Sequence, residues 1–227
     1  MQRPRLLLGI SDFSKLRSQQ MVYIDKTGEL ATLLDSGDYL FLARPRRFGK
    51  SLLCSTIRYL YEGRRELFAG LAIDGRWDWS RSNPVVHLQI NELGCFDPGE
   101  LKAGLLRLIE GHAEQAGLAI DEPTPALALT ALLNALHART GRRVVVIVDE
   151  YEKPVHDSLH DFALARTMRD ALAAFYGALK TCDAAIEKVF MTGIGRMVRT
   201  SVFSALNQMV DATLLPTAAT ICGYTTE

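Results

Sequence analysis

Short, continuous apolar runs alternate along the chain with longer stretches in which apolar residues recur every three or four positions. This pattern predicts strands buried on both faces, separated by amphipathic helices. The run YLFLA from Tyr39 is the first strand, and a helix from Ser51 to about Glu62 follows a short loop, with Leu52, Ile57, Leu60 and Tyr61 at helical spacing and Gly63 as a left-handed end. VVHLQI, Val85 to Ile90, predicts a second strand after Pro84. Asp97 as N-cap with Pro98 in the first turn opens a helix whose inner stripe is Leu101, Leu105, Leu108 and His112. Thr124 and Pro125 repeat the device before ALALTALLNALHART, which Gly141 closes.

The most apolar stretch, Val144 to Val148, is wholly β-branched, predicts a central strand, and runs directly into Asp149 and Glu150. A long helix with Phe162, Ala165, Met168, Leu172, Phe175 and Leu179 on one face comes next, then a fourth strand from Lys188 to Met191 ending at Thr192. Strands alternating with helices imply right-handed crossovers. The expected fold class is α/β, a three-layer αβα sandwich around a mainly parallel sheet.

The 227 residues are enough for one large domain with a real core. Twenty-six basic residues balance 26 acidic ones, which removes the electrostatic footprint of a dedicated nucleic-acid binder. Cys54, Cys95, Cys182 and Cys222 lie far apart without a C-x-x-C pair, so neither a zinc ribbon nor a disulfide framework is expected, and a reducing, cytoplasmic setting fits. The apolar run after Arg3 and Arg5 is too short for a signal-peptide core, and no stretch reaches the roughly 20 residues of a membrane span.

RPRRFGKS, Arg44 to Ser51, matches the phosphate-loop pattern G-x-x-x-x-G-K-[ST] except at its first position, where Arg44 replaces glycine. The retained residues carry the chemistry. Gly49 lets backbone N–H groups approach phosphates, Lys50 neutralises β and γ oxygens, Ser51 can ligate Mg²⁺, and the helix that follows aims its positive end at the same anion. Pro45 and Phe48 complete the loop. Arg44, Arg46 and Arg47 either pair with phosphate oxygens or form a solvated basic turn.

VVVIVDEYEKP, Val144 to Pro154, reads as a Walker B strand. Asp149 would hold Mg²⁺ through water, and Glu150, pointing differently, would orient or deprotonate an attacking water. Thr192, ending the fourth strand at the same sheet edge, can sense the γ-phosphate or simply cap the strand. Arg196 or Arg199 can act as an arginine finger toward a neighbouring subunit or stand in a basic surface loop. His156 and His160 are four residues apart, as in zinc pairs on one helical face, but no third ligand is evident and they read as solvated or capping histidines. Trp77 and Trp79 read as an aromatic turn packed on the core.

Taken together, LLLGISDFSKLR (6 to 17), VYIDKTGELATLL (22 to 34), FLARPRRFGKSLL (41 to 53), YEGRRELFAGLAI (61 to 73), VDEYEKP (148 to 154), MTGIGRM (191 to 197) and VFSALNQMVDATLL (202 to 215) resemble the N-terminal ATPase-like domain of a bacterial family of AAA-type ATP-binding proteins. The resemblance covers almost all of residues 1–227 and implies a P-loop NTPase fold with ATP and Mg²⁺ as cofactors. It makes Arg44 a shared variation of the family's loop. It also implies that Tyr23 and Asp25, in YIDKTGEL, border the adenine. Members usually continue past GYTTE, 223 to 227, into lid helices and often a PD-(D/E)xK nuclease-like domain, so the lid is expected to be absent or truncated here. The implied function is an ATP-dependent switch or weak ATPase acting on an effector such as a nuclease, or working within a homo-oligomer. The alternatives are a non-hydrolysing nucleotide-binding module and, against the neutral charge, a nucleic-acid-binding fragment.

Overall fold

A computed structural model describes residues 9–95, 97–195, 206 and 208–223. Five strands, β1 (Tyr39–Ala43), β2 (Val85–Gln89), β3 (Val144–Asp149), β4 (Ile186–Gly193) and β5 (Val210–Asp211), form one sheet in the order β2-β3-β4-β1-β5. Every pairing is parallel. The sheet is therefore more uniform than the mainly parallel one expected, and all its carboxyl ends share one edge.

β1 and the Val144 to Val148 stretch of β3 are apolar without interruption because both faces are covered there. Leu40, Leu42, Val145, Ile147 and Phe190 pack against α1 (Phe13–Ser18), α2 (Thr27–Leu34) and α3 (Lys50–Tyr61). Tyr39, Phe41, Val144, Val146, Val148, Val189 and Met191 face α4 (Pro98–Gln115), α5 (Pro125–Thr140) and α7 (Phe162–Thr181). Val144 to Val148 are all fully buried. At about 1.5–3 kcal/mol for each such side chain, a polar residue anywhere in this run would break the sheet at its centre.

The helix boundaries follow local chemistry. Asp97 Oδ1 accepts from the amides of Gly99 and Glu100 ahead of α4. Thr124 caps α5, and Asp161 caps α7. Gly63 (φ 74°) and Gly141 (φ 64°) take the left-handed conformation just past α3 and at the end of α5. Trp77 stacks edge-on to Tyr61 at 5.1 Å, and Trp79 Nε1 donates to the Asp74 carbonyl at 2.7 Å, so both serve the core.

One reading needs correction. Phe162 does not join the inner face of α7 and is 83% exposed. It is the first helical residue after the Asp161 cap, and the buried stripe begins only at Ala165. His156 and His160 are both exposed, in keeping with solvated or capping histidines, and do not share a helical face. A short helix, α6 (Lys153–Asp157), ends between them, and His160 Nδ1 lies 3.1 Å from the Asp157 carbonyl.

Candidate functional site

The strand order decides the geometry of the site. β1 leads into residues 44–51 and β3 into Asp149 and Glu150, with β4 between them, so Thr192 stands in the gap. The registers pair Leu42 with Thr192 and Val148 with Met191, which brings Leu42, Thr192 and Asp149 to one level at the carboxyl edge.

After Ala43, residues Pro45 to Gly49 form an exposed loop. Arg47 (φ 67°) and Gly49 (φ 87°) are left-handed, which curls the chain into α3. The first amides of α3 have no carbonyl within the helix to bond and are free by geometry to meet an anion. Lys50 is buried at 4% exposure, and its ammonium donates to the Arg44 and Pro45 carbonyls, each at 3.1 Å. The lysine thus folds back beneath its own loop, with a cation held at the concave centre.

Arg44 turns elsewhere. Its guanidinium donates to the carbonyls of Ala43 (2.9 Å), Thr213 (3.3 Å) and Ala218 (2.7 Å). Lys26 Nζ donates to the carbonyls of Thr220 and Gly223, and the Gly223 amide donates to the Phe48 carbonyl at 3.0 Å. Residues 212–223 therefore run beside the loop, tied to it by the Arg44 side chain and one backbone bond, and Lys26 ties the same strip to the segment before α2. Arg46 and Arg47 are exposed at its mouth.

On the acidic side, Thr192 is fully buried and Asp149 is 1% exposed. The Thr192 hydroxyl donates to Asp149 Oδ1 at 2.6 Å and accepts from the Glu150 amide at 3.3 Å, and the Tyr151 amide donates to the Thr192 carbonyl at 3.0 Å. Glu150 is part-exposed and left-handed (φ 55°), so its side chain departs from the strand in a different direction from that of Asp149. Cys54 Sγ on α3 lies 3.9 Å from Thr192 Oγ1, which links the helix bearing Lys50 and Ser51 to the acidic pair. Burial and the charge of Asp149 push the Cys54 thiol far above its usual range. Burial likewise raises Cys222, which lies within the fields of Arg44, Lys50 and Asp149. All four cysteines are free and buried.

The donor set suits a hard cation. Asp149 is a buried carboxylate with a neutral hydroxyl on one oxygen and no ion pair among the described residues. Mg²⁺ typically takes one or two protein oxygens, with water and phosphate completing its shell. Ser51 and Asp149 fit that role. No cluster of three or more His, Cys, Asp or Glu that could form a self-contained metal cage is found among the described residues.

Glu152 is the residue that sequence reasoning missed. It is 5% exposed, and its Oε1 accepts from the amides of Ile194 and Gly195. Oε2 is buried without a hydrogen-bond partner among the described residues, a situation that costs about 1–3 kcal/mol. Burial raises its pKa, opposed by the amide bonds. Gly193 makes the room, since a Cβ there would come 2.5 Å from Glu152 Oε2 and 2.6 Å from the Tyr151 ring. The signal in sequence was the small-residue pattern of TGIG, which has no meaning until the acid that closes on it is known.

In the YIDKTGEL segment, Tyr23 and Leu30 join the apolar cluster shared with α1 and α3. Tyr23 meets Phe13 edge-on at 5.2 Å, and burial raises its pKa. Burial works against Asp25, but bonds from Thr27 and the Ala72 amide hold its carboxyl below the usual range. Both Asp25 oxygens thus serve the start of α2 and its packing. Lys26, next in sequence, joins the segment to the strip beside the phosphate loop. Arg196 and Arg199 lie outside the described residues. No helix among the described residues is long and apolar enough to cross a membrane.

Residues 7–203 match the AAA-ATPase-like family, described as "Predicted AAA-ATPase". The chain is also similar to the "Uncharacterized protein in vnfD 5'region" of Azotobacter chroococcum mcd 1, at 36% identity over 226 residues. That alignment takes in 99% of this chain and 44% of the relative, so the chain spans less than half of the relative's length.

Proposed function

Since the chain belongs to the AAA-ATPase-like family, we propose that it binds ATP with Mg²⁺ at the carboxyl edge of its sheet and acts as an ATP-dependent switch with weak hydrolytic activity. The observation that carries this reading is that the loop bearing Lys50 leaves β1 at the same sheet edge at which Asp149 and Thr192, bonded to each other, end β3 and β4. In this proposal the amides at the start of α3 and the Lys50 ammonium take the β- and γ-phosphates. Ser51 and Asp149 hold the cation, which neutralises charge on the phosphate oxygens when bound. Thr192 fixes Asp149, and Glu150 orients the attacking water and accepts its proton.

The left-handed backbone of Glu150 supports that assignment, because a non-glycine residue held there costs free energy that the surrounding bonds must offset. The three carbonyl bonds of Arg44 favour a structural task for that residue, with phosphate contact left to residues 45–51. The switch would act on an effector, such as a nuclease, through loops ordered around the γ-phosphate.

Titration of the chain with fluorescently labelled ATP, with and without Mg²⁺, tests the proposal against Lys50→Ala. The parent should bind in a Mg²⁺-dependent manner and the variant at least about tenfold more weakly, as expected for loss of a charge-assisted phosphate contact. Equal affinity for the two proteins would overturn the reading.

A further inference from the structure

We propose that Glu152 is a positioning residue of this site, whose carboxylate fastens the turn after β4 to the turn after β3 and so holds Thr192 against Asp149 and Glu150. The inference deepens the nucleotide-binding reading and rests on it for its catalytic consequence, although the fastening itself is independent of any ligand.

The geometry is a zipper between two strand ends. Its first tooth is Thr192 Oγ1, bonded to both Asp149 Oδ1 and the Glu150 amide. The second is the Tyr151 amide on the Thr192 carbonyl. The third is Glu152 Oε1, which accepts from Ile194 and Gly195. With β4 finished at Gly193, these last two amides have left the ladder and need an acceptor, which Glu152 supplies from the neighbouring loop. The surroundings hold the acid in register. Tyr151 is fully buried, packs edge-on to Phe41 at 5.5 Å, and receives the Tyr176 hydroxyl on its carbonyl at 3.1 Å.

Stability does not explain a carboxylate at this position. A buried acid with one unmatched oxygen and no cationic partner among the described residues is a poor choice for holding a fold together. What it does supply is an acceptor that reaches two successive amides across the gap. It lies two residues from Glu150, the proposed water-orienting group, and is reached through the same turn. Glu152 touches neither substrate nor water in this proposal; it acts through Thr192 and the backbone of residues 150–151.

The test uses the full chain and two variants, Glu152→Ala and Glu152→Gln, with three readouts. Residue-resolved amide exchange without nucleotide should show Tyr151, Ile194 and Gly195 exchanging at least about tenfold faster in the alanine variant, the size expected for loss of a buried acceptor. The glutamine variant, which keeps a carbonyl oxygen in place of Oε1, should return them close to the parent rate. Single-turnover hydrolysis should drop about tenfold or more in the alanine variant alone, and by clearly more than its labelled-ATP affinity falls. Unchanged Tyr151 exchange in the alanine variant overturns the proposal. So does a glutamine variant that exchanges as fast as alanine, or a loss of affinity that matches the loss of rate. A parent that binds no MgATP would instead sink the nucleotide reading, and the exchange comparison would still decide the role of Glu152.

Discussion

The Thr192 hydroxyl stands 2.6 Å from Asp149 Oδ1 and 3.3 Å from the Glu150 amide, so one side chain on β4 is donor to one acid and acceptor for the backbone of the next. Thr192→Val keeps the shape and strands both partners in a buried setting. We expect it to lower unfolding stability by about 1–3 kcal/mol and to weaken Mg²⁺-dependent nucleotide binding. Thr192→Ser should recover most of both. Urea denaturation and Mg²⁺ titration check this, and a valine variant that melts with the parent would remove the hydroxyl from the account.

Glu150→Gln preserves size while removing the proposed base. Nucleotide affinity should stay within about threefold of the parent, and single-turnover cleavage should fall by about 10²-fold or more, the usual worth of a positioned general base. Equal cleavage by the two proteins would show that Glu150 is idle.

Arg44→Ala frees the Thr213 and Ala218 carbonyls, and Arg44→Lys cannot replace a fork that reaches carbonyls on two separate chain segments. Both variants should be cut faster within residues 212–223 under limited proteolysis, with alanine the more sensitive. Unchanged cleavage kinetics would mean that Lys26 and the Gly223 amide hold the strip unaided.

Acid should loosen the fold through His87. Burial, with the nearby charges of Arg58 and His112 and against that of Asp149, pushes its pKa down to about 4. The ring is thus neutral in the native state, whereas the unfolded chain takes up a proton below about pH 6.5. The contribution is complete above that pH and is lost as pH falls toward 4, a change of about 2–3 kcal/mol. His112, also lowered, acts in the same direction; Glu152, raised, acts in the opposite one. His87→Leu should flatten the pH dependence of the urea midpoint between pH 7 and 4, and an unchanged slope would clear His87.

The elements legible in the sequence were those that state their environment locally. YLFLA and VVVIV are apolar without interruption because both their faces are covered, and the Asp97, Thr124 and Gly141 caps announce their helices. β5 was not legible, because two residues, Val210 and Asp211, acquire strand character only by pairing with Leu40 and Phe41. Phe162 misled because an apolar residue just past a cap fits the helical period and yet faces solvent. That the loop after β1 and the end of β3 share one sheet edge was readable from the strand ends and the parallel order. The burial of Glu152 was not, since an acid after a strand ordinarily marks a surface loop and the glycine that admits it, Gly193, lies far along the chain on another strand. Arg44 showed its departure from the loop pattern in sequence, but its carbonyl partners, some 170 residues away, appear only in three dimensions.

Arg47 and Glu150 both carry a backbone twist that suits glycine and taxes any other residue by about 1 kcal/mol or more. A campaign that selected this chain only for heat resistance would find glycine or asparagine at these two positions early. Its winners would outlast the parent in the tube while having lost a cation from the mouth of the loop and the acid proposed to orient the water. Durability and chemistry compete here for the same two peptide units.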